Sequence, residues 1–220
     1  MADIDIDKML EQSEKKEKSK KDKSRINTII MASAGAVALA VIGVITAMLI
    51  MGEAGSSFFP LEPGVKYIYN KKGKNPEERR FTDKKESLYG YECSVLNITD
   101  KGSYTTRQEY YAVDREKGYA RLAYSDNYGK KVQDVFVVLP YLIKDGKEWQ
   151  AGKIKDKVVT AVIAGREAMM MPVGEVEAIR VEYKAVPYMD MVVWYAKDFG
   201  VVKELNNLTA DETSLISAGE

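Results

Sequence analysis

The sequence predicts a mainly β protein, in which a single N-terminal transmembrane helix precedes an antiparallel curved sheet, either a half-barrel or a sandwich, of about nine or ten strands. Three observations lead to this prediction. Residues 26–52 carry no charged side chain. Beyond them, short segments rich in β-branched and aromatic residues alternate with turn residues. No segment beyond residue 52 keeps the apolar period of an amphipathic helix over three turns.

Composition excludes several functional classes. The 220 residues contain 33 Lys and Arg against 33 Asp and Glu, so the chain lacks the basic excess typical of nucleic-acid binding. There is no histidine, the commonest general base and metal ligand. A single cysteine, Cys93, excludes an intrachain disulfide and a zinc site made of thiolates. We therefore expect no enzyme, no catalytic, cofactor or metal site, and no nucleic-acid partner.

The N-terminal segment divides into a charged tail and an apolar helix. Residues 1–25 hold eight basic and seven acidic residues and no aromatic residue, a composition typical of a disordered tail. Residues 26–52 would span about 40 Å as a helix, against a hydrocarbon core of about 30 Å. They are therefore predicted to cross the membrane.

Charges that flank the apolar run predict its orientation. Between Lys15 and Arg25 there are seven basic and two acidic residues, whereas beyond the run Glu53 comes first and the next basic residue is Lys66. The positive-inside rule places the N-terminus in the cytoplasm and residues 53–220 on the periplasmic or extracellular side of the inner membrane. The alternative is a cleaved signal peptide, although the run is longer than a typical signal-peptide core.

Small residues form a stripe along the predicted transmembrane helix. They recur every three or four positions, at Ala32, Ala36, Ala40, Gly43 and Ala47. Such a stripe lets two helix backbones approach closely, which would support a homo- or hetero-oligomer. The alternative is that alanine and glycine are simply common in membrane helices.

The segment 53–205 is predicted to be one extracytoplasmic β-rich domain. Its expected strands are Val65–Asn70, Leu88–Thr99, Ser103–Val113, Gly118–Ser125, Lys131–Leu139, Lys157–Ala164, Glu167–Met171, Glu175–Ala185, Met191–Ala196 and Val201–Leu205. Residues 206–220 are short, polar and free of aromatic side chains, so they are predicted to form a flexible tail.

Four motifs follow one another along this domain. They are Phe59-Pro60-Leu61-x-x-Gly64-x-x-Tyr67-x-Tyr69, Gly146-x-x-Trp149, Pro172-x-Gly174-x-x-x-Ala178-x-Arg180-Val181 and Trp194-Tyr195-Ala196-x-x-x-Gly200-Val201-Val202-Lys203. Their order resembles bacterial exported β-rich domains, the DUF3108-like and LolA-like curved-sheet envelope proteins. Tyr67 stands where that pattern has tryptophan, and Val176 where it has an aromatic residue. The resemblance implies a half-barrel around an apolar concavity, without catalytic residues.

Tyrosine and methionine supply the candidate binding surface. Tyrosine combines an apolar ring with a polar end, and methionine adapts to irregular apolar partners. The candidates are Tyr89, Tyr91, Met169, Met171, Met189, Met191 and Trp194. We expect an interaction or scaffold module for an envelope protein partner, or alternatively a binding protein for an apolar or lipid-like ligand in the concavity. A hydrolase using Glu175 and Glu177 is a distant alternative.

Charge reversal tests the predicted topology. Changing Lys16, Lys18, Lys20, Lys21 and Lys23 to Glu should give mixed orientation, because the cytoplasmic charge bias is removed. Protease added outside spheroplasts should digest residues 53–220 of the native chain and leave the first 25 residues protected. Changing the same lysines to Arg is the control and should leave the orientation uniform. Digestion of the lysine-rich tail in the native chain would contradict the prediction.

Overall fold

The computed structural model describes residues 52–126 and 128–219, and these form a β structure as predicted. Fourteen strands run in chain order: β1 Glu53–Ala54, β2 Lys66–Lys71, β3 Glu77–Leu88, β4 Tyr91–Asp100, β5 Thr106–Asp114, β6 Gly118–Ser125, β7 Lys131–Leu139, β8 Leu142–Ile143, β9 Glu148–Ile154, β10 Lys157–Met171, β11 Gly174–Ala185, β12 Met189–Ala196, β13 Gly200–Asn206 and β14 Asp211–Gly219. One short 3₁₀ helix, Gly55–Ser57, follows β1.

Predictions about the charged tail, the transmembrane helix and its stripe of small residues fall on residues 1–51, outside the described part of the chain. Within residues 52–126 and 128–219, no helix has the length and apolar character needed to cross a membrane.

Twelve strands form one antiparallel sheet in the order β7-β6-β5-β4-β3-β2-β14-β13-β12-β11-β10-β9. Strands β1 and β8 form a separate two-stranded pair, with Glu53 opposite Ile143. Neighbouring strands of the large sheet form hairpins, except for the pairing of β14 with β2. Its two halves are therefore joined by a pairing between segments that are far apart in sequence.

The sheet curves until its two edge strands, β7 and β9, meet. The indole Nε1 of Trp149 in β9 donates a hydrogen bond to the carbonyl oxygen of Val137 in β7, at 2.9 Å. At Gly152 in β9, a Cβ atom would lie 2.8 Å from the carbonyl oxygen of Val135, so a larger residue would separate the edges. Close packing along this seam makes the sheet nearly closed, and the sandwich alternative is not observed.

Several predicted strands differ from those observed. The predicted strands Lys157–Ala164 and Glu167–Met171 are one strand, β10, with a register shift between Ile163 and Gly165. The predicted strand from Leu88 begins only at Tyr91, because Tyr89 and Gly90 form the preceding turn with positive φ. Strands β3 and β9 were not predicted. In β3 the inward-facing positions include Glu77 and Arg79, which removes the apolar alternation that marks a strand.

The prediction of a flexible tail over residues 206–220 is wrong. Asp211–Gly219 form β14, which pairs with β13 and with β2. The segment is polar, but Leu215 lies opposite Tyr69 of β2 and has no exposed surface. Backbone pairing on both sides and this one buried side chain hold the segment in the sheet.

Phe59 is the centre of an aromatic cluster in the sheet's interior. Its ring centroid lies 5.1 to 6.2 Å from the ring centroids of Phe81 in β3, Tyr111 in β5, Tyr119 in β6 and Tyr195 in β12. Edge-on and tilted ring pairs at such distances are favourable beyond the area they bury. The segment after the 3₁₀ helix therefore crosses the interior and links strands from both halves of the sheet.

Truncation of Leu215 tests the structural role of β14. Leu215→Ala should lower the free energy of unfolding by about 2–5 kcal/mol, because it leaves a cavity in a packed site. Its neighbour Ile216 is 38% exposed, so Ile216→Ala is the matched control and should cost much less. Urea unfolding followed by tryptophan fluorescence measures both. A Leu215→Ala variant as stable as the control would mean that the segment does not pack as described.

Candidate functional site

A cavity of about 360 Å³ lies inside the curved sheet, and we call it the inner cavity. Its apolar lining is mostly aromatic, and its polar lining is charged. The lining residues are Phe59, Pro60, Tyr67, Tyr69, Arg79, Phe81, Leu96, Ile98, Arg107, Glu109, Tyr111, Arg121, Phe136, Val138, Tyr183, Met189, Met191, Val193, Tyr195, Phe199, Gly200, Val201 and Glu204. Strands from both halves of the sheet contribute, so the cavity exists only when the sheet is complete.

Tyrosine hydroxyl groups around the inner cavity donate hydrogen bonds within the protein. Tyr69 donates to the carbonyl oxygen of Val201 at 2.7 Å. Tyr183 donates to the carbonyl oxygen of Val138, so the 2.9 Å contact between the Tyr183 and Tyr195 hydroxyls is donated by Tyr195. Burial raises the pKa of all three hydroxyls, which stay neutral. Because their protons are engaged, these tyrosines present rings rather than free donors to the cavity.

Arg79, in β3, is the most completely paired cation in the wall of the inner cavity. Its Nε donates to Glu77 at 2.7 Å, and its two terminal nitrogens donate to both carboxylate oxygens of Glu204 in β13, at 2.8 and 3.0 Å. Its guanidinium also lies 4.3 Å from the centre of the Tyr69 ring. This bidentate arrangement fixes β3 against β13 across the cavity.

Glu77 is only 2% exposed and contacts three cations. These are Lys71 in β2, Arg79 in its own strand and Arg107 in β5. Burial alone would raise the pKa of Glu77, but the charge of Arg79 and the hydrogen bonds from Lys71 and Arg79 outweigh it, so the pKa lies below its usual range. The same opposition holds for Glu204, where Arg79 outweighs burial and the pKa is lowered.

The ion pairs continue from Glu77 towards solvent. Arg107 contacts Glu77 and Glu109, and Arg121 in β6 contacts Glu109 and Asp134 in β7. We call the whole set the ion-pair network, and its members are Lys71, Glu77, Arg79, Arg107, Glu109, Arg121, Asp134 and Glu204. Four cations therefore face four anions, and the network has no net charge.

A second cavity, of about 640 Å³, adjoins the inner one and is more open to solvent. We call it the vestibule. Tyr124, Ser125, Gln133 and Asp134 line it, among others. The inner cavity and the vestibule share three lining residues, Arg107, Glu109 and Arg121, which we call the junction. A molecule bound across the junction would contact apolar groups inside and polar groups outside.

The candidate residues taken from the sequence divide between three places. Met189 and Met191 line the inner cavity. Tyr89 and Tyr91 lie at the turn between β3 and β4, where Tyr89 is 55% exposed and the Tyr91 hydroxyl contacts Asp114. The remaining candidates pack in a separate apolar cluster with Val176 and Ala178: Met169, Met171 and Trp194.

Alternation explains this division within β12. Val193 and Tyr195 line the inner cavity, so Trp194 between them points to the opposite face, where its indole nitrogen donates to Glu167 at 3.1 Å. The structure therefore brings only the two methionines of β12 to the cavity. It places the other candidates elsewhere on the sheet.

Sequence reasoning missed the charged residues of the site. Glu77, Arg79 and Arg107 lie in strands beside other polar or charged residues, so their inward direction gave no signal. Arg121 lies between Ala120 and Leu122, which are buried on the opposite face of β6, so the local pattern pointed the wrong way. One available signal was the repeat of acidic and basic residues two apart, Glu77 with Arg79 and Arg107 with Glu109, which places both members of each pair on one strand face. Cys93 is fully buried among apolar neighbours, away from both cavities.

Comparisons with known proteins found no match: no family model, no curated protein and no solved structure is significantly similar to this chain.

Acid unfolding tests the buried part of the ion-pair network. Because the pKa of folded Glu77 is lowered, its contribution to stability is present above the unfolded carboxyl pKa of about 4.3 and is lost as the pH falls below it. Glu77→Gln should cost about 3–5 kcal/mol at pH near 7, since the surrounding cations lose their shared partner. The difference from the native chain should shrink as the pH falls towards about 3.

The matched control for this experiment is Glu78→Gln. Glu78 lies on the opposite face of β3 and pairs with Lys101 at 2.8 Å near the surface. An exposed pair of this kind contributes about 0–1 kcal/mol. Urea unfolding at several pH values measures both variants. Equal losses in the two variants would show that Glu77 is not held as described.

Proposed function

We propose that this protein binds a small amphiphilic molecule, with the apolar part in the inner cavity and the polar part at the junction and vestibule, and that it does so without catalysis. The observation that carries the proposal is that an aromatic cavity and a charged cavity more open to solvent lie side by side and share three lining residues. Among the functions expected from the sequence, this favours ligand binding in the concavity over a scaffold role.

The size and lining of the inner cavity support a small ligand. Ligand pockets commonly have volumes of about 300–1,000 Å³ and walls that are mostly apolar with a few polar groups. An apolar cavity of about 150 Å³ is enough to hold benzene. The inner cavity exceeds that volume, at about 360 Å³, and suits one slender apolar chain rather than several.

Flexible side chains at the cavity wall support the same proposal. Met189 and Met191 stand on adjacent inward positions of β12, beside the rigid rings of Tyr183 and Phe136. Methionine has three rotatable bonds and adapts to partners of different shape. A cavity wall that combines fixed rings with two flexible side chains can accommodate ligands whose apolar parts differ in shape.

We further propose that residues 26–52 anchor the protein in the inner membrane and that residues 53–220 lie on its outer side. The uncharged run and the lysine-rich segment before it support this part of the proposal. It would hold a ligand-binding unit close to a source of amphiphiles. It also agrees with the expectation, drawn from the four motifs, of an exported envelope protein.

Filling the inner cavity tests the proposed binding site. Met191→Trp adds a ring to the cavity wall and should weaken binding of the uncharged dye phenylnaphthylamine by about tenfold or more, equivalent to about 1.4 kcal/mol. Dye fluorescence measures the affinity, and native mass spectrometry of the purified protein identifies co-purified amphiphiles.

The control places the same substitution outside the cavity. Met170 is 80% exposed, so Met170→Trp should bind the dye as the native chain does. Failure of the native chain to bind any amphiphile, or unchanged affinity in Met191→Trp, would contradict the proposed function.

A further inference from the structure

The charges around the junction are balanced. Across the ion-pair network four cations face four anions, and Glu109 is the anion shared by the two junction guanidiniums. Its carboxylate also accepts a hydrogen bond of 2.6 Å from the Tyr111 hydroxyl. Burial, with the nearby charge of Glu109, raises the pKa of that hydroxyl, which keeps its proton. Glu109 is therefore held from three sides at the boundary between the two cavities.

The junction guanidiniums keep unused donors. Arg107 makes one hydrogen bond, a long one of 3.4 Å to Glu77, and its contact with Glu109 is an ion pair at 3.9 Å. Arg121 donates to Asp134 through Nη2, and the contact of its Nη1 with Glu109, at 3.5 Å, is an ion pair without a hydrogen bond. An arginine offers five N–H donors, so both side chains can donate to a further acceptor without releasing their carboxylates.

We propose that the ligand carries an uncharged polar head with acceptor oxygens, such as a hydroxyl, ester or amide group, and that Glu109 is the residue that excludes a charged head. This inference rests on the proposed function. Oxygen atoms of an uncharged head accept hydrogen bonds from Arg107 and Arg121 and leave the network neutral. A carboxylate or ammonium head would leave one unbalanced charge at a partly desolvated position, which is unfavourable.

Three ligands with the same chain separate these cases. Monolauroylglycerol, dodecanoate and dodecyltrimethylammonium differ in the charge of the head, and the experiment measures how well each displaces phenylnaphthylamine from the full-length protein at concentrations below micelle formation. The native chain should bind monolauroylglycerol about tenfold or more tightly than either charged ligand. Tighter binding of dodecanoate by the native chain would overturn the inference while supporting the proposed function. Displacement by none of the three would contradict the proposed function itself.

Removal of the shared anion gives the decisive variant. Glu109→Gln keeps an acceptor for Tyr111 but leaves the network with one excess positive charge. The ratio of dodecanoate affinity to monolauroylglycerol affinity should therefore rise about tenfold or more. The matched control, Glu78→Gln, also removes one negative charge, but from the face of β3 that points away from the inner cavity. It should leave the ratio unchanged. An unchanged ratio in Glu109→Gln would overturn the inference.

A second variant serves if Glu109→Gln does not fold. Asp134 pairs with Arg121 on the vestibule side, and its side chain is 29% exposed, so its loss disturbs the interior less. Asp134→Asn leaves the same excess of positive charge beside Arg121 and should shift the ratio in the same direction. A ratio that stays at the native value in a folded Asp134→Asn protein would overturn the inference.

Discussion

The buried carboxylate of Glu77 is the constraint on which the interior of this sheet depends. A buried carboxylate is unfavourable unless cations and hydrogen bonds surround it, and here the cations come from β2, β3 and β5. Arg79, which pairs with Glu77, also pairs with Glu204 in β13. Because β13 lies on the far side of β14, these pairs hold the two halves of the sheet at a fixed distance. The open volume of the inner cavity lies between them.

Apolar rings and charged side chains meet in the wall of the inner cavity. Phe59 and the rings around it adjoin the ion-pair network at Tyr111, whose hydroxyl donates to Glu109. Each tyrosine hydroxyl described in the cavity wall already donates to a protein acceptor, so the aromatic part behaves as an apolar surface. An amphiphilic molecule requires both kinds of wall, because apolar walls alone would not distinguish an amphiphile from a simple hydrocarbon.

Sequence patterns predicted those strands that have a clear boundary at each end. Strands β6 and β7 begin and end as predicted, because Gly118, the turn before Lys131 and Pro140 mark their limits. Strand β14 was missed because Leu215 is its one fully buried side chain, and a single apolar residue does not produce a period. The site was predicted only through Met189 and Met191. Its charged wall depends on contacts between strands that are distant in sequence, such as Arg79 with Glu204, which no local pattern encodes.

The position of β14 has a consequence for biosynthesis. Strands β2 to β7 form successive hairpins, and so do strands β9 to β14. The pairing of β14 with β2, which joins the two sets, is not a hairpin. Lys66 near the start of the unit pairs with Gly219, more than a hundred residues later. The growing chain therefore cannot close its sheet, or form the inner cavity, until the segment after Asn206 has left the ribosome. Until that moment both half-sheets expose edges at β2 and β13, which makes this the stage at which a chaperone would protect the chain from pairing with other strands.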